Sequence, residues 1–199
     1  MGVLIKEILV NYMKQFADLS EADLISLAEN VPVGSFKKGT VLLHQGEVPD
    51  KCFFILKGCI RQYAIDVSGK ETTFNFFTEE QSVTIFNQHS KDKLSNYSLS
   101  CLEDCVLVVG DLALEQDAYD QYPVLEMMTR KMMEADMGRI QDEFSSFVAS
   151  TPEERFKALL EKRAELINRV PQYQLASYLG ITPESLSRIK KRFDITHLK

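Results

Sequence analysis

The chain has 199 residues, 45% of them hydrophobic, which is enough for one large core or two modest ones. No apolar run approaches the roughly 20 residues that span a bilayer, and the opening Met1-Gly2-Val3-Leu4-Ile5-Lys6-Glu7 shows no signal-peptide cleavage pattern, so a cytoplasmic protein without a membrane partner is expected. The formal charge of −6 is unevenly spread: residues 151–199 hold ten Lys and Arg against six Asp and Glu, net +4, which leaves −10 on the first 150. The basic end suits phosphate and the acidic remainder is repelled by it, so the distribution points to nucleic acid where the total would argue against it.

Residues 3–16 place Leu4, Ile5, Ile8, Leu9, Tyr12 and Phe16 at a 3.6-residue period, which predicts an amphipathic helix. Ser20 and Asp23 form a capping arrangement for a second helix that Pro32 closes. From residue 33 to about 109 the texture changes to Val, Ile, Phe, Tyr and Thr runs, separated by Lys38-Gly39, Gln45-Gly46-Glu47, Lys57-Gly58 and Ser68-Gly69. Short, evenly spaced strands of this kind favour a barrel or sandwich, with a hairpin turn at Asp66-Val67-Ser68-Gly69-Lys70 and a polar loop over residues 87–93.

A short helix is expected over residues 112–118 and a long one over 124–148. Met133, Met137, Ile140, Phe144 and Phe147 alternate four- and three-residue steps, the spacing of a two-stranded coiled-coil seam, while Leu125 and Met128 extend the apolar surface toward the strand region. Thr151, Pro152 and Glu154 then restart the chain with a capping box, and Phe156, Leu159, Leu160 and Ala164 supply a packing helix.

Two short helices around a turn follow. Leu175, Ala176 and Leu179 form the apolar stripe of the first, and Gly180 ends it where φ > 0 is needed. Thr182, Pro183 and Glu184 start the second. Leu186, Ile189 and Phe193 share one face of it, Glu184, Arg188 and Lys191 lie on the opposite one, and Ser185 and Arg192 lie beside them. A DNA-binding helix-turn-helix has this division: Arg188 suits guanine and Glu184 suits cytosine, while Lys190, Lys191 and Arg192 suit phosphate. Gln172, Tyr173 and Thr182 complete the expected DNA-binding set. A lone helix-turn-helix binds weakly, so a two-fold dimer through the long helix is expected.

Cys52, Cys59, Cys101 and Cys105 lack the C-x₂-C pairs of zinc or iron–sulfur sites and read as buried free thiols, with a redox role for Cys101 and Cys105 as the alternative. His44, His89 and His197 are too scattered for a haem or metal site. No cofactor, metal or catalytic residue is expected.

The order helix, β-barrel, long helix, helix-turn-helix resembles the cyclic-AMP receptor and FNR (CRP/FNR) family of bacterial transcription regulators. Lys38-Gly39, Gln45-Gly46-Glu47, Phe54-Ile55-Leu56-Lys57-Gly58, Gly69-Lys70-Glu71, Thr151-Pro152-Glu153-Glu154-Arg155 and the string from Leu179 to Ile189 carry the resemblance. It implies an α+β protein. Residues 1–123 would form a cyclic-nucleotide-binding-like sensor domain, a jelly-roll β-barrel with flanking helices. Residues 124–149 would be the dimerisation helix, and 150–199 a winged-helix-type helix-turn-helix domain with a minimal wing. Glu184, Ser187 and Arg188 match the family's base-reading residues, which implies a palindromic site with a TGA-like half-site core. Pro183 departs from members that carry arginine there. RNA polymerase is a further partner consistent with this class.

The family's cyclic-nucleotide cassette is not matched. The corresponding positions, Ser82-Val83-Thr84-Ile85-Phe86 and Ser95-Asn96-Tyr97-Ser98, offer no arginine for a cyclic phosphate. A degenerate effector pocket of Val83, Thr84, Phe86, Ser95, Asn96 and Tyr97, unresponsive to cyclic AMP, is therefore expected, with the effector unknown. Two other readings stay open: a cupin-like metal-dependent enzyme, disfavoured because only His44 and His89 lie in the barrel region, and a ligand-binding module whose C-terminal helices contact protein.

Overall fold

The computed structural model describes residues 2–16, 19–29, 31–85, 91–114, 117, 119–120 and 122–193, the side chains of residues 2–6 excepted. Eight strands form two four-stranded antiparallel sheets: β1 (Val33–Phe36), β2 (Val41–Leu43), β3 (Lys51–Lys57), β4 (Ile60–Ile65), β5 (Glu71–Phe77), β6 (Ser82–Val83), β7 (Ser98–Cys101) and β8 (Cys105–Asp111). Their orders, β1-β8-β3-β6 and β2-β7-β4-β5, cross between sheets in the jelly-roll manner expected from the sequence. Leu43, Phe53, Ile55, Ile60, Phe77, Val83, Leu99 and Leu107 fill the space between them.

Both sheets are also covered on their outer faces, and the period-two pleat shows how. In β3 the run Phe53-Phe54-Ile55-Leu56 is buried throughout. Phe53 and Ile55 point between the sheets. Phe54 and Leu56 point outward against α1 (Gly2–Met13), α2 (Glu21–Glu29) and Met128 of α3 (Pro123–Ala149). In β5, Phe77 joins the inner core while its neighbour Phe76 joins the core of the C-terminal helices. Those helices are α4 (Pro152–Arg163), α5 (Leu166–Arg169), α6 (Gln172–Tyr178) and α7 (Pro183–Arg192). The C-terminal helices therefore cap the β2-β7-β4-β5 sheet. Gly58, between β3 and β4, has φ +114°, and a Cβ there would lie 2.4 Å from the Cys105 sulfur, so no other residue fits this turn without displacement.

Local signals behave as the sequence predicts at several points. Asp66 and Lys70 close the hairpin through Asp66 N–H to Lys70 C=O at 3.0 Å. Thr151 and Glu154 form the capping box, with Thr151 N–H donating to Glu154 Oε2 at 2.7 Å and Glu154 N–H to Thr151 Oγ1 at 3.3 Å. Met128 packs against the strand region as expected. Cys59, Cys101 and Cys105 are buried free thiols and Cys52 is half-buried.

Other boundaries differ. α1 stops at Met13 instead of running to Phe16, because Gln15 and Phe16 bond back three residues, to Tyr12 and Met13, and tighten into a turn. In place of a helix beginning at Leu112, residues 112–114 turn sharply: the Asp111 carboxylate accepts from Ala113 N–H at 2.9 Å and diverts the backbone from helical bonding. The rest of that expected helix lies largely outside the described residues. The four-residue helix α5 is not marked by any periodicity. No strand follows α4 among the described residues, and the expected wing falls on residues 194–199, outside them.

Candidate nucleic-acid interface

α6 and α7 are joined by a turn over residues 179–182 whose chemistry fixes their relation. Gly180 has φ +68°; its N–H donates to Ser177 C=O, and Ile181 N–H to Ala176 C=O, each at 3.0 Å, the paired bonds of a Schellman ending. Thr182 then caps α7, its hydroxyl accepting from Ser185 N–H at 3.3 Å, and Pro183 takes the first helical position. Leu186 and Ile189 are buried with Leu175, Ala176, Leu179, Phe156 and Leu159, and Phe193 meets Phe156 edge-on at 5.6 Å.

The opposite side of α7 carries the residues singled out from the sequence. Thr182, Glu184, Ser187, Arg188, Lys191 and Arg192 are exposed, and Ser185 and Lys190 are half-buried. Arg188 Nη2 donates to Ser185 Oγ at 3.2 Å, which holds the guanidinium along the helix. Lys190 Nζ donates to Gln172 Oε1 at 3.0 Å, which ties the two helices, and the exposed Tyr173 accepts from Gln174 Nε2 at 3.1 Å. The Glu184 carboxyl is held below the usual carboxylate range, first by its own backbone N–H at the helix start and then by the Thr182 hydroxyl, so it is a ready acceptor at neutral pH. A cleft of about 830 Å³ opens beside this face, bounded by Thr151, Glu153, Ser185, Arg188, Lys191 and Arg192. Glu153 pairs with Arg192 at 2.5 Å, a contact that sequence spacing could not reveal.

The mooring of this unit on the sheet was likewise not legible beforehand. Arg169 Nη1 donates to Glu79 Oε2 at 2.7 Å, and its guanidinium also pairs with Glu103. Arg163 Nη2 donates to Phe76 C=O at 2.6 Å, and Thr73 N–H donates to Ser177 Oγ at 2.9 Å. Beneath them Arg61, only 4% exposed, donates to Glu71 and Thr73 and lies 4.4 Å from the Tyr63 ring centroid. Burial alone would raise the Glu79 carboxyl, but Arg169 and the Gly58 N–H outweigh it and hold the group below its ordinary 4.5. A carboxyl so depressed contributes stability above its unfolded value and loses it as pH falls through the lower folded one. The thermal midpoint should therefore drop as pH falls below about 4.5, and Glu79→Gln should flatten that part of the profile; an unaltered slope in the variant would contradict this.

On α3, Met133, Met137, Ile140, Phe144 and Phe147 are exposed, from 41% for Phe147 to 69% for Phe144. Phe147 has a second contact: the Arg155 guanidinium stands 4.3 Å over its ring, and a Cβ at Gly180 would come within 3.4 Å of it. The expected effector residues differ in burial, and Val83 and Tyr97 share the core between the sheets. Val83 is inside the sheet core and Thr84 is half-buried. The buried Ser95 is satisfied by Tyr97 backbone, Asn96 is exposed, and Tyr97 packs edge-on against Phe74 at 5.2 Å. Phe86, His89 and His197 lie outside the described residues. No cluster of three metal-ligating side chains occurs among the described residues.

Residues 33–119 match the cyclic nucleotide-binding domain family. By sequence, no curated protein matches the chain. Among solved structures it is similar to FixK2 from Bradyrhizobium japonicum, with TM-score 0.66 and 17% identity over 83% of this chain and 85% of that one. It is also similar to the c-di-GMP responsive global regulator CLP of Xanthomonas campestris, with TM-score 0.65 and 12% identity over 88% and 92%. A CooA mutant from Carboxydothermus hydrogenoformans gives 0.64 and 14% over 89% and 80%. Residues 33–119 thus resemble the cyclic nucleotide-binding domain, and the chain shares its overall fold with these structures, in line with the resemblance read from the sequence. No described helix is long and apolar enough to cross a membrane.

Proposed function

We propose that this chain is a homodimeric, sequence-specific DNA-binding transcription regulator of the CRP/FNR type, with α7 as the helix that enters the major groove. The observation that carries this reading is the two-sidedness of α7. Leu186 and Ile189 anchor it in the core, and Glu184, Ser187 and Arg188 stand free of that core near its start, followed by Lys190, Lys191 and Arg192. Base edges need donors and acceptors near the helix start, and phosphates need the cations that follow. Residues 150–199 would be the DNA-binding unit, residues 1–123 the sensor and 124–149 the dimer helix.

The exposed stripe from Met133 to Phe147 supports the dimer, since a second copy of α3 would cover it in a parallel seam. The absence of an arginine from Ser82-Val83-Thr84-Ile85-Phe86 and Ser95-Asn96-Tyr97-Ser98, with Val83 committed to the core, supports a regulator that does not answer to cyclic AMP. The site would be palindromic with a TGA-like half-site core, RNA polymerase would be the downstream partner, and the protein would act in the cytoplasm without catalysing a reaction.

Arg188→Ala tests the reading at one residue. It should cost about 1–3 kcal/mol of binding to the preferred duplex and relax the choice at one G·C pair, while leaving random-duplex binding nearly unchanged. An equal loss on both duplexes would assign Arg188 to phosphate instead.

A further inference from the structure

The cleft of about 830 Å³ between the start of α4 and α7 is lined by three cations, Arg188, Lys191 and Arg192, and by a single acidic residue, Glu153. All four are exposed. The Glu153 carboxylate lies 2.5 Å from the Arg192 guanidinium, with the two side chains 48% and 59% exposed. An acidic side chain in the first turn of a helix often serves the helix itself, by capping it. Here that task falls to its neighbour: Glu154 accepts from the Thr151 N–H and hydroxyl and completes the capping box. Glu153 is therefore free to turn toward α7, and it sets a negative charge against a cation of the helix that carries the candidate base-reading residues.

We infer that Glu153 is a specificity-determining residue, an intramolecular stand-in for a DNA phosphate that holds Arg192 off the backbone of unselected DNA. This rests on α7 being the helix that meets DNA. Binding to random sequence draws its strength from cations that neutralise phosphate, so a cation engaged within the protein removes one such contact. An exposed ion pair is weak enough to open, but opening it requires a phosphate held in close, fixed contact. A matched site supplies one, because base contacts by Glu184, Ser187 and Arg188 fix the register of the helix on the duplex. A mismatched duplex stays looser and leaves the pair closed. The carboxylate therefore penalises unselected DNA more than the selected site.

Anisotropy titrations of the natural chain, Glu153→Gln, Arg192→Gln and the double variant decide the matter, against a random duplex and the duplex that the natural chain selects, across about 50–200 mM salt. Glu153→Gln keeps the Thr151–Glu154 box and alters only an exposed side chain, so the fold is retained. It should tighten random-duplex binding about fivefold and steepen the slope of log affinity against log salt by about one, with a smaller gain on the selected duplex. Arg192→Gln should weaken random-duplex binding about fivefold more in the Glu153→Gln background than in the natural chain. Unchanged random-duplex affinity and slope in Glu153→Gln, an equal gain on both duplexes, or an equal cost of Arg192→Gln in both backgrounds would overturn the inference and leave the DNA reading intact. A natural chain that selects no duplex would overturn that reading itself, and this role of Glu153 with it.

Discussion

Phe76→Ala should destabilise the protein by about 3–5 kcal/mol and release the C-terminal helices from the sheet. Phe76 is fully buried, yet it stands on the outer face of β5, where it joins the cluster of Phe156, Leu166 and Leu175 and meets Tyr178 edge-on at 5.4 Å. Truncation leaves a void bordered by two rigid units, neither of which can collapse into it alone, so the loss should fall on the contact between them. The same surface holds Arg163 on Phe76 C=O and Thr73 N–H on Ser177, and undocking exposes both sets of polar groups together. Denaturant unfolding should show the lowered midpoint, and hydrogen exchange should show loss of protection in β5 and α6 before β3 and β8. Uniform loss across both units would mean that the chain unfolds as one block, and no loss would remove Phe76 from the mooring.

The second large effect is expected on the long helix α3. Phe144→Lys should convert the proposed dimer to monomer and reduce affinity for a palindromic duplex by about 10²–10³, since a tethered second half-site then no longer contributes. Phe144 is 69% exposed in the single chain, so its replacement removes little intramolecular packing, and the circular dichroism of the variant should match that of the natural protein. Sedimentation separates the outcomes: a variant that still sediments as a dimer would place the seam elsewhere, and an unchanged duplex affinity in a true monomer would remove the dimer from DNA binding. Met137 and Ile140, 64% and 54% exposed and respectively two turns and one turn away, would share the same seam.

Much of the frame was legible because it is written in local chemistry. Gly180, Thr182 and Pro183 announce a turn and a helix start whatever lies around them, and the Thr151 and Glu154 capping box does the same at the head of α4. The unbroken apolar run in β3 signals a strand buried on both faces, because a period of two leaves no side of it for water. What escaped are features made by distant partners. Arg169 finds Glu79 and Glu103 across separations of 90 and 66 residues, and each of the three reads in sequence as a solvated charge. Arg61 reads in sequence as an ordinary outward residue of β4, yet it is buried against Thr73, Glu71 and the Tyr63 ring. The Leu112 region misled in the other direction, since its helical composition is overruled by one carboxylate, Asp111, that captures a backbone N–H. At the candidate interface the sequence showed which residues α7 presents, but not that Gln172 and Glu153 hold two of its cations.

Selection of the purified protein against a pool of random duplexes tests the central claim most directly. The account predicts enrichment of a two-fold symmetric site with TGA-like half-sites, bound far more tightly than random duplex and with a steep salt dependence. Recovery of a pool no different from the input, or binding that salt abolishes equally for every duplex, would contradict it.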